Sequence, residues 1–193
     1  DAAPGSGSGS GTGSDTGTGT AGDDDTSPAS GSGDTACVTG TWQADIDDLA
    51  AQVGALLGET GMNVVTTRGV GTQTVTFGEA GSFQFSTDAV AAVDVQIPDG
   101  PAMTVAQTHT GSMTASWAWD ASASSPAMIF GSFDASGYSI VNAVSMNGIA
   151  IDTPIALPDA VPTGGRLAVT CSDNSLATTW EGGPFITRWA RAS

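Results

Sequence analysis

From residue 62 onward the chain keeps returning to a period of two. In GTQTVTF, Gln73, Val75 and Phe77 share one side against Thr72, Thr74 and Thr76. SFQFST sets Phe83 and Phe85 together, AVDVQI sets Val93, Val95 and Ile97, AMTVAQTH sets Met103 and Val105, and SMTASWAW sets Met113, Ala115, Trp117 and Trp119. The pattern continues through Ile140, Val144 and Met146, then Leu167, Val169 and Cys171, then Leu176, Thr178 and Trp180, and ends with Phe185, Thr187 and Trp189. Such alternation describes strands with one buried face. Turn signals separate the runs: Gly78-Glu79-Ala80-Gly81, Asp99-Gly100, Thr110-Gly111, Ser136-Gly137, Asn147-Gly148, Asp173-Asn174 and Gly182-Gly183. These residues reach positive φ at low cost. The expectation is an all-β, antiparallel, up-and-down barrel of roughly eight to ten strands, because a meander of that length must close or stack to remove its edges. The longer loops fall at 120–126 and 157–165.

One segment breaks the alternation. DIDDLAAQVGALLGETG places Ile46, Leu49, Val53, Leu56 and Leu57 at helical spacing. Asp45 suits the N-cap, Asp47 and Asp48 the positive end of the dipole, and Gly58 or Gly61 the stop. The narrow apolar stripe predicts a single amphipathic helix over 45–58, packed on the barrel across one end or along one side.

Residues 1–36 are different in kind. They contain no Val, Leu, Ile, Met or aromatic residue, and their acids have no basic counterpart. A segment that buries no apolar surface cannot offset its ordering entropy, so a disordered tether is expected over 1–36 and a single folded domain over 37–193. The whole chain carries 20 acids against four Arg, no Lys, and a formal net charge of −16. That balance argues against nucleic acid, whose phosphates need cationic neutralisation, and against electrostatic attraction to an anionic membrane face. No run of apolar residues is long enough to span a membrane as a helix. A Ser/Thr/Gly/Asp tether ahead of a folded domain fits a protein held off a surface. The expectation is a mature exported form, secreted or attached to the cell envelope, with a lipid-modified Cys upstream of Asp1 as the corresponding anchor.

Cys37 and Cys171 belong to no Cys-x-x-Cys pair, and the chain has one histidine, so a zinc site is not expected. In an exported protein two cysteines most simply form one disulfide. Two unrelated buried thiols are the competing possibility.

Gly40-Thr41-Trp42 on a first strand, followed by a meander and a terminal Arg, resembles the lipocalin/calycin superfamily. The resemblance implies that the Gly40-x-Trp42 tryptophan closes one barrel end beneath an arginine from the chain's end, either Arg188 or Arg191 of TRWAR. Over most of the domain, CVTGTW, TVTF, GSMTASW, NGIAIDTPI and LAVTCSDNSLATTW look like the small lipocalin-like domains of secreted or lipid-anchored proteins of high-GC Gram-positive bacteria, a group largely of unknown function. Those proteins often pair a first-strand Cys with the Cys of a strand like TCSDNSL. The helix directly after the first strand departs from typical lipocalins and is closer to the lid of fatty-acid-binding proteins.

Catalytic chemistry finds little support. His109 reads as an ordinary strand-end residue beside a turn. No Gly-x-Ser-x-Gly elbow or phosphate loop is present, and Asp23-Asp24-Asp25 reads as a solvated charge run. Asp94, Asp120, Asp134 and Asp152 are dispersed, without the pairing a glycosidase requires. No enzyme activity, cofactor or metal is expected. Phe83, Phe85, Met103, Val105, Met113, Trp117, Trp119 and Met146 are the candidate lining of a cavity for an apolar ligand, with Met128 nearby in composition and the helix as lid. The alternative is an interior filled by these same side chains. Two functions follow: a non-catalytic module holding a small apolar molecule, or a structural or interaction domain that meets an envelope component.

Overall fold

A computed structural model describes residues 33–152, residue 157 and residues 165–192. Most of the expected tether, and most of the 157–165 loop, lie outside these described residues. The last four tether residues, 33–36, are in place. Thr35–Val38 forms a single helical turn, α1, capped by Asp34, whose carboxylate accepts from the Ala36 N–H at 2.9 Å. The folded part therefore starts before Cys37.

The elements that follow are β1 (Gly40–Ala44), α2 (Ile46–Glu59), β2 (Asn63–Phe77), β3 (Ser82–Gln96), β4 (Ala102–Trp119), β5 (Ala127–Asp134), β6 (Tyr138–Met146), β7 (Ile149–Ile151), β8 (Arg166–Cys171), β9 (Ser175–Trp180) and β10 (Ile186–Arg191). All pairings are antiparallel, in the order β3-β2-β1-β10-β9-β8-β5-β4-β6-β7, with β3 also paired to β4. That last pairing closes a ring through eight strands. β6 and β7 stand outside it, extending the sheet from β4.

The long strands explain this shape. β4 pairs with β5 through its C-terminal half, from Thr114 to Trp119, and with β6 through its N-terminal half, from Met103 to Gly111. The C-terminal half belongs to the barrel. The N-terminal half continues past it, with the matching ends of β2 and β3, as a sheet extension. Thr110-Gly111 is thus not a hairpin, as its composition suggested. Gly111 has φ 98° and lets β4 bend where it leaves the ring, and Gly71 (φ 95°) does the same for β2. A Cβ at Gly71 would collide with the backbone of Asp88, and one at Gly111 with that of Gly137, so both bends need glycine.

Two apolar cores result. Inside the ring, Trp42, Val75, Phe77, Phe83, Phe85, Met113, Trp117, Met128 and Leu176 pack together. Under α2, Leu49, Val53 and Leu57 meet Val93, Val95 and Val105, with Leu157 and Phe185. The helix does both things its stripe allowed. Ile46 joins the barrel core at one end, and the following turns lie along β2 and β3. Asp45 caps the helix by accepting from the Asp48 N–H at 2.9 Å. Asp47 accepts from the Gly69 N–H at 2.7 Å, covering a backbone donor on the edge of β2 that the sheet leaves open.

Candidate functional site

The closed end of the barrel is built from the first and last strands. Trp42 is fully buried, and its indole N–H donates to the Val38 carbonyl at 2.8 Å. The guanidinium carbon of Arg191 lies 4.2 Å from the centre of the indole, a favourable cation–π distance. Arg191 also donates to the carbonyls of Asp173 (2.9 Å), Thr39 (3.0 Å) and Cys37 (2.9 Å). It thereby ties the β8–β9 turn to the segment that leads into β1. Gly40 belongs to the same arrangement. Its φ is 129°, and a Cβ there would meet the Arg191 guanidinium at 2.7 Å. Arg188, the other candidate, is not at this end. It faces away on β10 and pairs with Asp48 of α2 at 2.5 Å. Strand parity separates the two arginines.

Cys37 and Cys171 are joined by a disulfide, with Cα atoms 6.1 Å apart. It links the third residue of α1 to the last residue of β8. Beside it an open cleft of about 660 Å³ is lined by Asp34, Val38, Trp119, Val169, Asp173 and Arg191 among others. Trp119 packs against Gly33 and donates from its indole N–H to the Thr35 hydroxyl at 2.9 Å.

The candidate cavity residues are not brought around one space. Phe83 and Phe85 border a cavity inside the ring, with Leu49, Gln73, Thr178 and Trp189. Its volume is about 30 Å³. Met113 and Trp117 are buried in the barrel core, and Trp119 stands at the outer cleft. Val105 and Met103 pack under α2, and Met146 is the cross-strand partner of Met103 in the extension. The eight residues share an inward parity, but the long strands carry that parity through two separate cores.

Between the cores runs a polar layer that alternation alone did not bring forward. His109 is 2% exposed and lies in the middle of β4, not at a strand end, because β4 runs on through Gly111. Its Nδ1 is 2.6 Å from the Tyr138 hydroxyl and its Nε2 is 2.8 Å from the Gln107 Oε1. Gln107 in turn donates from Nε2 to the Asn142 Oδ1 at 3.0 Å. An amide that presents its oxygen to His109 requires the imidazole to carry its proton on Nε2. The signal was in AMTVAQTH, where Gln107 and His109 continue the buried face of Met103 and Val105.

The carboxylates are occupied individually. Asp94 accepts from Thr104, Thr66 and Arg68, and these bonds, the Thr104 hydroxyl first, hold its pKa below the ordinary value. Asp120 is held low first by Ser122 and then by Arg166, and Asp134 by the Ser136 backbone and side chain. Among the described residues no three His, Cys, Asp or Glu side chains converge as a metal site would require. No described helix is long and apolar enough to cross a membrane. What the geometry gives is a disulfide-pinned, nearly closed β-barrel, and comparison with protein-family models, curated proteins and solved structures finds no match to it.

Proposed function

We propose that this chain is a non-catalytic interaction domain displayed outside the cytoplasm, attached to or released from the cell envelope, and not a carrier of a small apolar molecule. The observation that carries this reading is the interior volume. A pocket for a small organic molecule occupies roughly 300 Å³ or more, and among the described residues the pocket bordered by Phe83, Phe85 and Trp189 inside the ring holds about 30 Å³. The disulfide supports an oxidising compartment, where such bonds persist. The Trp42–Arg191 contact supports a distant lipocalin-like barrel, since it is the contact that the Gly-x-Trp resemblance implies. In this reading the exterior does the work, and the open cleft beside the disulfide is a concave surface on which a partner can rest.

Native mass spectrometry of the protein recovered from the envelope or culture fluid of its source tests the reading. The expected result is a bare, oxidised chain. A reproducible excess mass released on denaturation would restore the carrier, and recovery from the cytoplasm alone would remove the display role.

A further inference from the structure

The outer face of the long strands changes character along its length. Over the ring, the outward residues of β3 are Ser82, Gln84, Ser86 and Asp88, and beyond it the same face carries Val90 and Ala92. The register continues these two positions across four strands. Val70 of β2 faces Val90, Val90 faces Thr108 of β4, and Thr108 faces Val141 of β6. The next row holds Arg68, Ala92, Ala106 and Ala143. Polar rows bound the patch on both sides: Thr72, Asp88, Thr110 and Ser139 on one, Thr66, Asp94, Thr104 and Ser145 on the other. Val70 and Val141, at the two ends of one row, are 59% and 55% exposed. Among the described residues α2 is the only helix or strand packed across the extension, and it lies on the opposite face, over Val93, Val95 and Val105. The solvent side of an antiparallel sheet is ordinarily polar, and a contiguous apolar patch there marks a contact surface.

Charge and shape favour a second copy of this chain as the occupant. The chain carries a net charge of −16, so most of its surface repels itself. The one charge within the two apolar rows, Arg68, is paired with Asp94 at 2.6 Å. A two-fold axis running along the strands, between β3 and β4, lays β2 of one copy over β6 of the other. Val70 then meets the second copy's Val141, and Ala92 meets its Ala106. Asp88 and Asp94 meet Thr110 and Thr104, so no carboxylate faces a carboxylate. Phe83 and Phe85, inside the ring, share their side of β3 with Val93 and Val95. The ring therefore curls toward the α2 side and leaves the patch clear. Four strands about 4.8 Å apart and four rows about 6.8 Å apart cover about 500 Å² per copy, or about 1,000 Å² for the pair. That reaches the lower bound of a specific interface and falls short of an obligate one.

We propose that the chain forms a weak, reversible two-fold dimer, sheet on sheet, through the outer face of the extension, with Val70 of each copy against Val141 of the other. Trp119 and the cleft beside the disulfide lie at the opposite end of β4 from Thr108, so both copies keep that cleft open. The dimer presents it twice, and a surface-bound partner is gripped at two points.

Sedimentation velocity of the full, oxidised chain over a concentration series up to about 1 mM reads the association. The native chain is expected to show a monomer–dimer equilibrium that strengthens with added salt, because screening relieves repulsion between two acidic copies. Val70→Asp and Val141→Lys change exposed positions, and circular dichroism checks that both variants fold. Each is expected to weaken the dimer at least about tenfold, because a lone charge is buried in the contact. The double variant is expected to recover much of that loss, since the two-fold sets each introduced carboxylate against an introduced ammonium. A native chain that stays monomeric throughout overturns the proposal, as does a dimer unchanged in a folded Val70→Asp protein. A dimer that weakens with salt overturns the apolar contact, and a double variant no tighter than the single ones overturns the seating of β2 on β6.

Discussion

Arg191 and Trp42 are joined twice: the guanidinium carbon lies 4.2 Å from the indole centre, and the two residues are direct antiparallel partners across β10 and β1. The side-chain contact therefore reinforces the seam at which the first and last strands meet. Losing it opens both the core and the seam.

Trp42→Ala is expected to lower unfolding stability by about 3–5 kcal/mol, as large aromatic truncations in cores do. Arg191→Ala is expected to cost at least about 1.5 kcal/mol, because a charged donor leaves carbonyls behind. Arg188→Ala removes an exposed pair and is expected to cost about 0–1 kcal/mol. Urea denaturation of the three variants ranks them. Equal losses at Arg188 and Arg191 would contradict the assignment of the closing role to Arg191.

Cys37→Ser/Cys171→Ser is expected to cost about 2–5 kcal/mol, the usual range for a native disulfide in an exported domain. Intact mass before and after reduction shows the bond directly, as a gain of two hydrogen atoms. A thermal midpoint indifferent to reductant would mean that Arg191 and the α1 turn hold this end without it.

The glycines divide by what a methyl group would meet. Gly58 has open space around it in α2, so Gly58→Ala is expected to stabilise by about 0.5–1 kcal/mol. Gly54 lies against Thr67, and Gly111 combines a left-handed φ with a close carbonyl, so alanine is expected to destabilise at both. For Gly111→Ala the backbone strain alone is about 1–3 kcal/mol. Chemical denaturation of the single variants gives the signs, and a neutral Gly111→Ala would show that the bend in β4 can be made another way.

Acid should weaken the fold. Asp94, Asp120 and Asp134 have folded pKa values below the ordinary 3.8. Their contribution is present above that value and is lost as the pH falls through the depressed folded values, since the unfolded chain takes up protons first. Urea midpoints from neutral pH down to about pH 2.5 should fall below pH 4. Asp94→Asn should flatten part of that fall. A midpoint constant to the acid end would mean the Thr104, Thr66 and Arg68 bonds add nothing to stability.

Much of this architecture is visible in the sequence, and the errors have physical reasons. Alternation located the strands because each presents one face to a core. It could not show that SFQFST and AVDVQI form one strand, or that β4 crosses Thr110-Gly111 without turning, because a Thr-Gly pair serves both a turn and a bend. The partners decide, and β3 and β6 both pair with β4 at that point. The choice between Arg188 and Arg191, left open above, is one that parity can make: Arg191 shares its side of β10 with Thr187 and Trp189, whereas Arg188 does not. The aromatic and methionine residues were read as one cavity lining. A shared parity fixes a face but not which of two cores that face covers.

The disulfide has one more effect, which concerns mechanical load. The chain passes Cys37 in α1 and only then forms β1 with Trp42. Traction applied from the N-terminal side is transferred at Cys37, through a covalent bond, to Cys171 at the end of β8. The hydrogen bonds of β1 to β2 and β10 lie behind that anchor and are shielded from being unzipped in sequence. A pull from the N-terminal side therefore meets a covalent link before it meets the hydrogen bonds of β1.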